Sequence, residues 1–305
     1  MAKYIGKRLL MGIISIFALI TVTFFLVHLM PGNPFNLENV NQAVQDRLMS
    51  YYGLDRPPHE QFGMYLEKLL QGDLGISYKK VGMTVNELIA LKAPATIQLG
   101  VIAYVLALVL GTALGIVMAV SKREVLRGGI MFVTVLGISI PNYVLALILM
   151  LVLGVQLDWF PVLGLDTPMH YVLPVITLTV YPLAQIAKLV RSSYMEAMNQ
   201  DYVIMAKAKG LKPARVAFVH VLKNAMIPVI TISGPMIAFL LTGSFVVENL
   251  FTIPGIGLEF VQAVSNRDYT VILGLTIFLG MILVLCNLIS DIICALVDPR
   301  IKLED

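Results

Sequence analysis

Asp291 is the one carboxylate inside a long apolar run of this sequence. An acid in such surroundings is paired, hydrogen-bonded or used in proton movement. Asn287 stands one helical turn before it and Ser290 beside it. The run ends near Val297, which puts the carboxylate on the order of 10 Å from the helix end. A structural hydrogen bond or ion pair within a helix bundle suits Asn287 and Asp291 better than a proton relay. Cys286 and Cys294 share that run with neither metal-ligand spacing nor a disulfide framework, and read as packing residues. His28 sits at the end of an apolar run, and His59, His170 and His220 in polar segments, so no pair could hold a haem inside a membrane. Gly137-Ile138-Ser139-Ile140 is followed by Pro141 and lacks the second glycine of a nucleophile elbow. Gly255-Ile256-Gly257 lacks the strand-to-helix setting of a nucleotide loop and reads as a tight turn. No Gly-x-x-x-x-Gly-Lys-Ser/Thr occurs, so the chain has no ATP-phosphate cradle of its own. Neither a cofactor, a metal nor a catalytic residue is expected on it.

These residues are carried by long apolar segments. Apolar residues make up 58% of the 305 and charged residues 13%, about half the charged share of a soluble domain. A run of about 20 apolar residues crosses a bilayer. Six such spans are expected, at about 9–30, 97–120, 130–153, 171–190, 226–247 and 271–297. The first exceeds a signal-peptide core and lacks a small-residue cleavage site, so it reads as a retained helix. Lys3, Lys7 and Arg8 precede it. Lys122, Arg123 and Arg127 fill the second loop, Lys188 to Lys223 the fourth, and Arg300 and Lys302 the tail, whereas 154–170 and 248–270 hold only Arg267. Positive residues mark the cytoplasmic side, so both termini are expected there. A net charge of +3 gives no global attraction for nucleic acid. Gly111 and Gly115 form a small-xxx-small pair suited to close helix contact. Pro141, Pro182 and Ser233-Gly234-Pro235 loosen the third, fourth and fifth spans, and such breaks can line a cavity. The sequence alone assigns no residue to a translocation pathway.

The chain therefore divides into 1–30, an N-terminus with the first span; 31–96, an external helical insertion; 97–297, a five-span core with a loop at 191–225; and a tail, 298–305. In the insertion, Val40, Val44, Leu48 and Tyr52 recur at helical spacing and stop at Gly53. Pro57-Pro58 opens a second helix with Phe62, Leu66, Leu69 and Leu70, closing near Gly72. Thr84 and Glu87 fit a capping box. In the 191–225 loop, Asp201 caps a short helix from Tyr202 to Lys209, Gly210 takes the left-handed conformation that ends it, and Lys212-Pro213 starts another helix toward the fifth span. The result is a basic, partly apolar helix-turn-helix hairpin suited to docking.

At these residues the chain resembles a known family. Asp201-Tyr202 through Ala206-Lys207-Ala208-Lys209-Gly210-Leu211, and on to His220-Val221-Leu222-Lys223-Asn224-Ala225, looks like the "EAA" coupling loop of the membrane subunits of bacterial ABC importers for peptides and, in some members, nickel. Pro31-Gly32-Asn33-Pro34, Tyr52-Gly53-Leu54-Asp55-Arg56-Pro57, Gly72-Asp73-Leu74-Gly75, Thr242 through Glu248, Ile253 through Gly257, Arg267-Asp268-Tyr269 and Asp298-Pro299-Arg300-Ile301 match in order and spacing, over nearly the whole chain. The first permease subunit of oligopeptide and dipeptide systems is most similar. Lys223 replaces the proline of the general EAA pattern, as in the peptide subfamily, and Cys294 stands where the family usually has Tyr.

The resemblance implies an all-α membrane protein of the type I importer permease fold. It would form half of a peptide translocation pathway in the bacterial cell membrane, working by alternating access. It implies a second homologous permease subunit, two ATP-binding subunits carrying ATP and Mg, an extracytoplasmic solute-binding protein, a peptide substrate and membrane lipid as partners. Coupling to the ATPase falls to Tyr202, Met205, Ala206, Lys207, Ala208, Lys209, Gly210 and Leu211. A nickel or other small-solute permease remains open on sequence. An ion-driven secondary transporter is the rival from another class, although it would need no docking hairpin.

Overall fold

The computed structural model describes residues 2–29, 50, 53, 56–77, 79–80, 82–242 and 245–297. In chain order its main helices are α1 Ala2–Leu29, α2 Pro58–Leu70, α3 Val85–Val120, α4 Glu124–Ser139, α5 Asn142–Leu149, α6 Val172–Met198, α7 Asp201–Ala208, α8 Ile227–Leu241, α9 Phe245–Leu250, α10 Ile256–Asn266 and α11 Tyr269–Val297. The only β pairing among the described residues is an isolated bridge between Ile76 and Thr84. The helix expected over Val40–Tyr52, apart from Ser50, and the flanking motifs at 31–34 and 298–301 lie outside the described residues.

Thr84 starts the longest described helix. Its hydroxyl accepts from the Glu87 N–H at 3.2 Å, and the Glu87 carboxylate accepts from the Thr84 N–H at 2.8 Å. Four N–H groups at a helix start lack internal partners, and this reciprocal box satisfies two local donors. The helix does not close before the membrane. It continues unbroken to Val120, so the span expected from about 97 is the later part of one 36-residue rod. At about 1.5 Å per residue the rod is about 54 Å long, well beyond a hydrocarbon core of about 30 Å. The insertion is therefore welded to the second span rather than hinged on it.

Among the described residues, five helical segments are long and apolar enough to cross a membrane: Gly6–Leu29, Val85–Val120, Pro168–Met198, Ile227–Leu250 and Tyr269–Leu296. The expected third span is not one rod. Glu124–Ser139 and Asn142–Gln156 meet at 106°, and counting this pair as one broken span makes six. Pro141 sits at the corner as the residue before α5, where it has no N–H to continue the ladder from α4. Beyond α5 the chain winds as a π-helix, Met150–Gln156.

Close packing of α3 on α6 centres the bundle. A Cβ on Gly111 would lie 2.8 Å from the Leu183 carbonyl oxygen, and one on Gly115 2.7 Å from Val190 Cβ. Both glycines are thus required by contact, as their spacing implied. A Cβ on Gly234 of α8 would lie 2.6 Å from Ser290 Cβ of α11. α2 starts with Pro58 in its first turn and packs Phe62, Leu66 and Leu69 on the cluster around Phe24 and Tyr65. Leu70, expected on the same stripe, is exposed. Burial lowers the pKa of Lys68 on this helix, with Asp73 opposing.

Candidate functional site

The hairpin between α6 and α8 is built from its own small core. Val203 and Ala206 of α7 pack with Tyr194, Ala197, Val216, Val221 and Ala225. α7 ends as the sequence indicates. Gly210 has φ +74°. The Leu211 N–H reaches the Ala206 carbonyl at 3.3 Å and the Gly210 N–H the Lys207 carbonyl at 2.9 Å, the paired bonds of a Schellman close. Pro213 opens the return stretch 213–225, which includes a π-helical turn, Val216–Leu222. Asp201 does not cap α7. Gln200 precedes the helix without a side-chain cap, and Asp201 lies in the first turn, where a negative charge favours the helix dipole.

The exposed face of the hairpin differs from the expected set of residues. Ala206 is 5% exposed and belongs to the hairpin core, because its position on α7 turns it toward Val216 and Val221. Tyr202 and Leu211 are partly buried in the same cluster. Met205, 60% exposed, faces outward with Lys207, Ala208, Lys209 and Gly210. Ile204, 57% exposed, stands beside Met205, and Phe218 and Val219 are exposed on the return stretch. The exposed residues combine apolar and basic side chains, with Lys212 and Arg215 also exposed. Nothing in its type marks Ile204 as exposed, since the equally apolar Val203 one position earlier is buried.

A cavity of ≈770 Å³ lies between the α4–α5 corner, α6, α8 and α9. Pro141, Pro182 and Pro235 all line it. Its wall is mostly apolar, with Asn142, Tyr143, Tyr181, Gln185 and Thr231 as polar points. The Gln185 amide donates to the Tyr181 hydroxyl at 3.2 Å. Beside Pro235, Ser233 accepts from the Tyr104 hydroxyl at 2.5 Å, which ties α8 to α3. The three prolines singled out in sequence thus line one space, but only Pro141 breaks a helix: α6 and α8 run unbroken through Pro182 and Pro235.

Asp291 is paired. Arg8 of α1 meets its carboxylate at 3.1 Å, and both side chains are partly exposed in the chain alone. Ser290 donates to the Ile230 carbonyl at 2.7 Å. Asn287 Oδ1 is buried without a hydrogen-bond partner. Asn287 and Asp291 therefore do not act as a pair: one holds α11 to α1, and the other turns into the packed interior.

Three further carboxylates, missed in sequence, organise the insertion end. Glu248 of α9 is 2% exposed. Its carboxylate accepts from the Gly257 N–H at 2.8 Å, the Leu258 N–H at 3.3 Å and the Thr96 hydroxyl at 3.0 Å. Thr96 in turn accepts from the Ile256 N–H at 2.9 Å. This carboxylate caps the start of α10 and bolts it to α3. Gly255 and Gly257 are the space it needs, since a Cβ on Gly257 would lie 3.0 Å from Glu248 Cδ. Glu259, buried on α10, pairs with Lys80 at 2.5 Å. Asp268 accepts from the Ser77 hydroxyl and from the Lys79 N–H at 3.3 Å. The loop before Thr84 is clamped onto α10 and α11 by these bonds. No group of three or more His, Cys, Asp or Glu side chains among the described residues is arranged to hold a metal.

Comparison with known proteins places this geometry. Residues 111–303 match the sequence model of a family described as binding-protein-dependent transport system inner membrane component. The chain is 43% identical over 305 residues to the dipeptide transport system permease protein DppB of Bacillus subtilis, covering 100% of this chain and 99% of that one. It is 40% identical over 305 residues to the oligopeptide transport system permease protein OppB of Haemophilus influenzae, covering 99% and 100%. Among solved structures, an inward-facing form of the MetNI methionine ABC transporter superposes with a TM-score of 0.59 at 17% identity, over 69% of this chain and 96% of that one. An amino acid ABC transporter crystallised with histidines gives 0.53 at 16% identity, over 71% and 95%. The last two likenesses speak for the fold alone.

Proposed function

The chain belongs to the family of binding-protein-dependent transport system inner membrane components, and from that premise we propose that it is one of two membrane subunits of an ATP-driven peptide importer. Full-length relatives named for dipeptide and oligopeptide transport support peptide as the cargo. The observation that carries the coupling role is the hairpin. It has its own packed core, a glycine-closed corner, and an outward face of Ile204, Met205 and lysines. Exposed apolar side chains beside charged ones suit a protein contact. ATP and Mg are bound by separate subunits docked there, on the cytoplasmic side, together with both termini of this chain. Peptide arrives from a binding protein at the insertion end. The ≈770 Å³ cavity is this chain's share of the pathway, and a second, homologous subunit supplies the facing wall. Closure of the ATPases moves the hairpin, which rocks α6 and α8 and exchanges one access for the other.

The test is uptake by proteoliposomes holding the complex purified with its co-eluting subunits. Labelled tripeptide should accumulate only with ATP and binding protein. Met205→Asp should insert normally yet lower ATP hydrolysis and uptake together by about tenfold or more, since it buries a charge in the contact. Uptake driven by an ion gradient with this chain alone would overturn the reading. Accumulation of nickel in place of peptide would overturn the cargo assignment.

A further inference from the structure

Beneath the apolar cavity lies a second space of ≈440 Å³, between Met118 of α3, Met131 of α4 and the Gln185, Lys188, Arg191 and Ser192 face of α6. Gln185 and Ile232 line both, so the two spaces adjoin. The character of the wall changes between them. The lower space carries two cations and no acid. Among the described residues, neither Lys188 nor Arg191 enters an ion pair. Arg191 Nε is enclosed and has no hydrogen-bond partner. Its Nη1 meets only the Met131 sulfur, at 3.7 Å, a weak acceptor. The Nη1 contact is exposed, so the end of the guanidinium stays open to a ligand while Nε is enclosed. Positive-inside topology accounts for basic residues at span ends, but not for two cations without an ion pair that line one space beside an apolar cavity.

We propose that Lys188 and Arg191 form a carboxylate-binding subsite at the inner end of the pathway, which holds the C-terminal carboxylate of the peptide before release. This rests on the importer reading above. The planar guanidinium fork matches a carboxylate in two-point geometry, and the ammonium adds a mobile second charge. Every linear peptide carries that carboxylate whatever its side chains, so the subsite grips cargo without reading sequence. The apolar upper cavity takes the side chains through contacts of low selectivity. A lipid phosphate is the other anion of suitable chemistry, and the experiment separates the two.

Ser192→Cys, in the complete importer with Cys286→Ala and Cys294→Ala, places a reporter in the lower space. In phosphatidylcholine nanodiscs without nucleotide, a sulfonate-bearing methanethiosulfonate should react about tenfold faster than its trimethylammonium analogue, as expected for a cleft of one charge sign. That ratio should fall to about one in Lys188→Gln/Arg191→Gln. Trialanine should slow the sulfonate reagent, whereas trialanine amide should not. Arg191→Lys keeps the charge but loses the fork, so it should keep the reagent ratio and lose the acid-over-amide difference. Equal reagent rates in the parent, or equal protection by acid and amide, would overturn the proposal. Protection by phosphatidylglycerol but not by trialanine would assign the site to lipid and overturn it too. ATP-driven peptide uptake by the wild-type complex is scored separately, so failure of the importer reading is distinguishable from failure of this subsite.

Discussion

Glu248 shows how one side chain can govern the meaning of a motif. Gly255-Ile256-Gly257 is legible as a turn, but its glycines are small because the Glu248 carboxylate occupies the space beside them. Glu248→Ala removes the acceptor for two backbone N–H groups and the Thr96 hydroxyl. Each buried donor left unsatisfied costs about 1–3 kcal/mol, so thermal unfolding in detergent should shift down by several degrees. Glu248→Gln retains an acceptor and should lie between Ala and wild type; an Ala variant as stable as wild type would show that water reaches the site. Asp291 presents a different case, since its pair with Arg8 is partly exposed. Asp291→Asn still accepts from Arg8 and should keep most of the transport and assembly. Asp291→Leu takes away this acceptor and should lower the yield of monodisperse protein. A double-mutant cycle of Asp291→Asn with Arg8→Gln should give a coupling of about 1 kcal/mol or less. Loss of transport in Asn with normal assembly and ATP hydrolysis would point instead to a step that needs the charge.

The hairpin is the element whose boundaries decide its use. Gly210 has open space around its missing Cβ, so a substitution there is felt through φ rather than through a clash. Gly210→Val places a β-branched residue in the left-handed region, at about 1–2 kcal/mol, whereas Gly210→Asn is tolerated there. Both should insert in the membrane. Val should reduce peptide-stimulated ATP hydrolysis and uptake together by several-fold, and Asn should restore most of both. Equal activity in the two would mean the corner does not set the docking angle. Ala206→Asp, by contrast with Met205→Asp, buries a charge within the hairpin itself. It should unfold the element, seen as faster proteolysis of 199–225, before any contact is tested.

At the scale of the whole molecule, topology is the property to check. The insertion and the hairpin lie at opposite ends of α3 and α6, so one impermeant thiol reagent should separate them. Ser77 is a poor reporter, because it is buried against Asp268. Gln71 and Ala214 are exposed. In intact cells and a background without native cysteines, Gln71→Cys should label and Ala214→Cys should not until the membrane is opened. Labelling at position 214 in intact cells would invert the molecule.

Periodicity and composition determined most of the scaffold. Long apolar runs have one low-energy fate in a bilayer, the helix, because every backbone polar group must be satisfied within it. Pro58, Thr84-Glu87, Gly210 and Pro213 act within a few residues of themselves, and all four local structures stand as their types and spacing indicate. What only the tertiary structure decided involves partners far apart in the chain. Pro141 marks a break in sequence, but the 106° turn depends on what α4 and α5 pack against. Ala206 and Met205 are neighbours with opposite fates, set by where Val216 and Val221 return. Arg8 with Asp291, Lys80 with Glu259 and Thr96 with Glu248 join residues more than a hundred positions apart. A charge in sequence carries no record of its partner, since the pairing exists only once two distant helices have been brought to one place by the packing of the apolar residues around them.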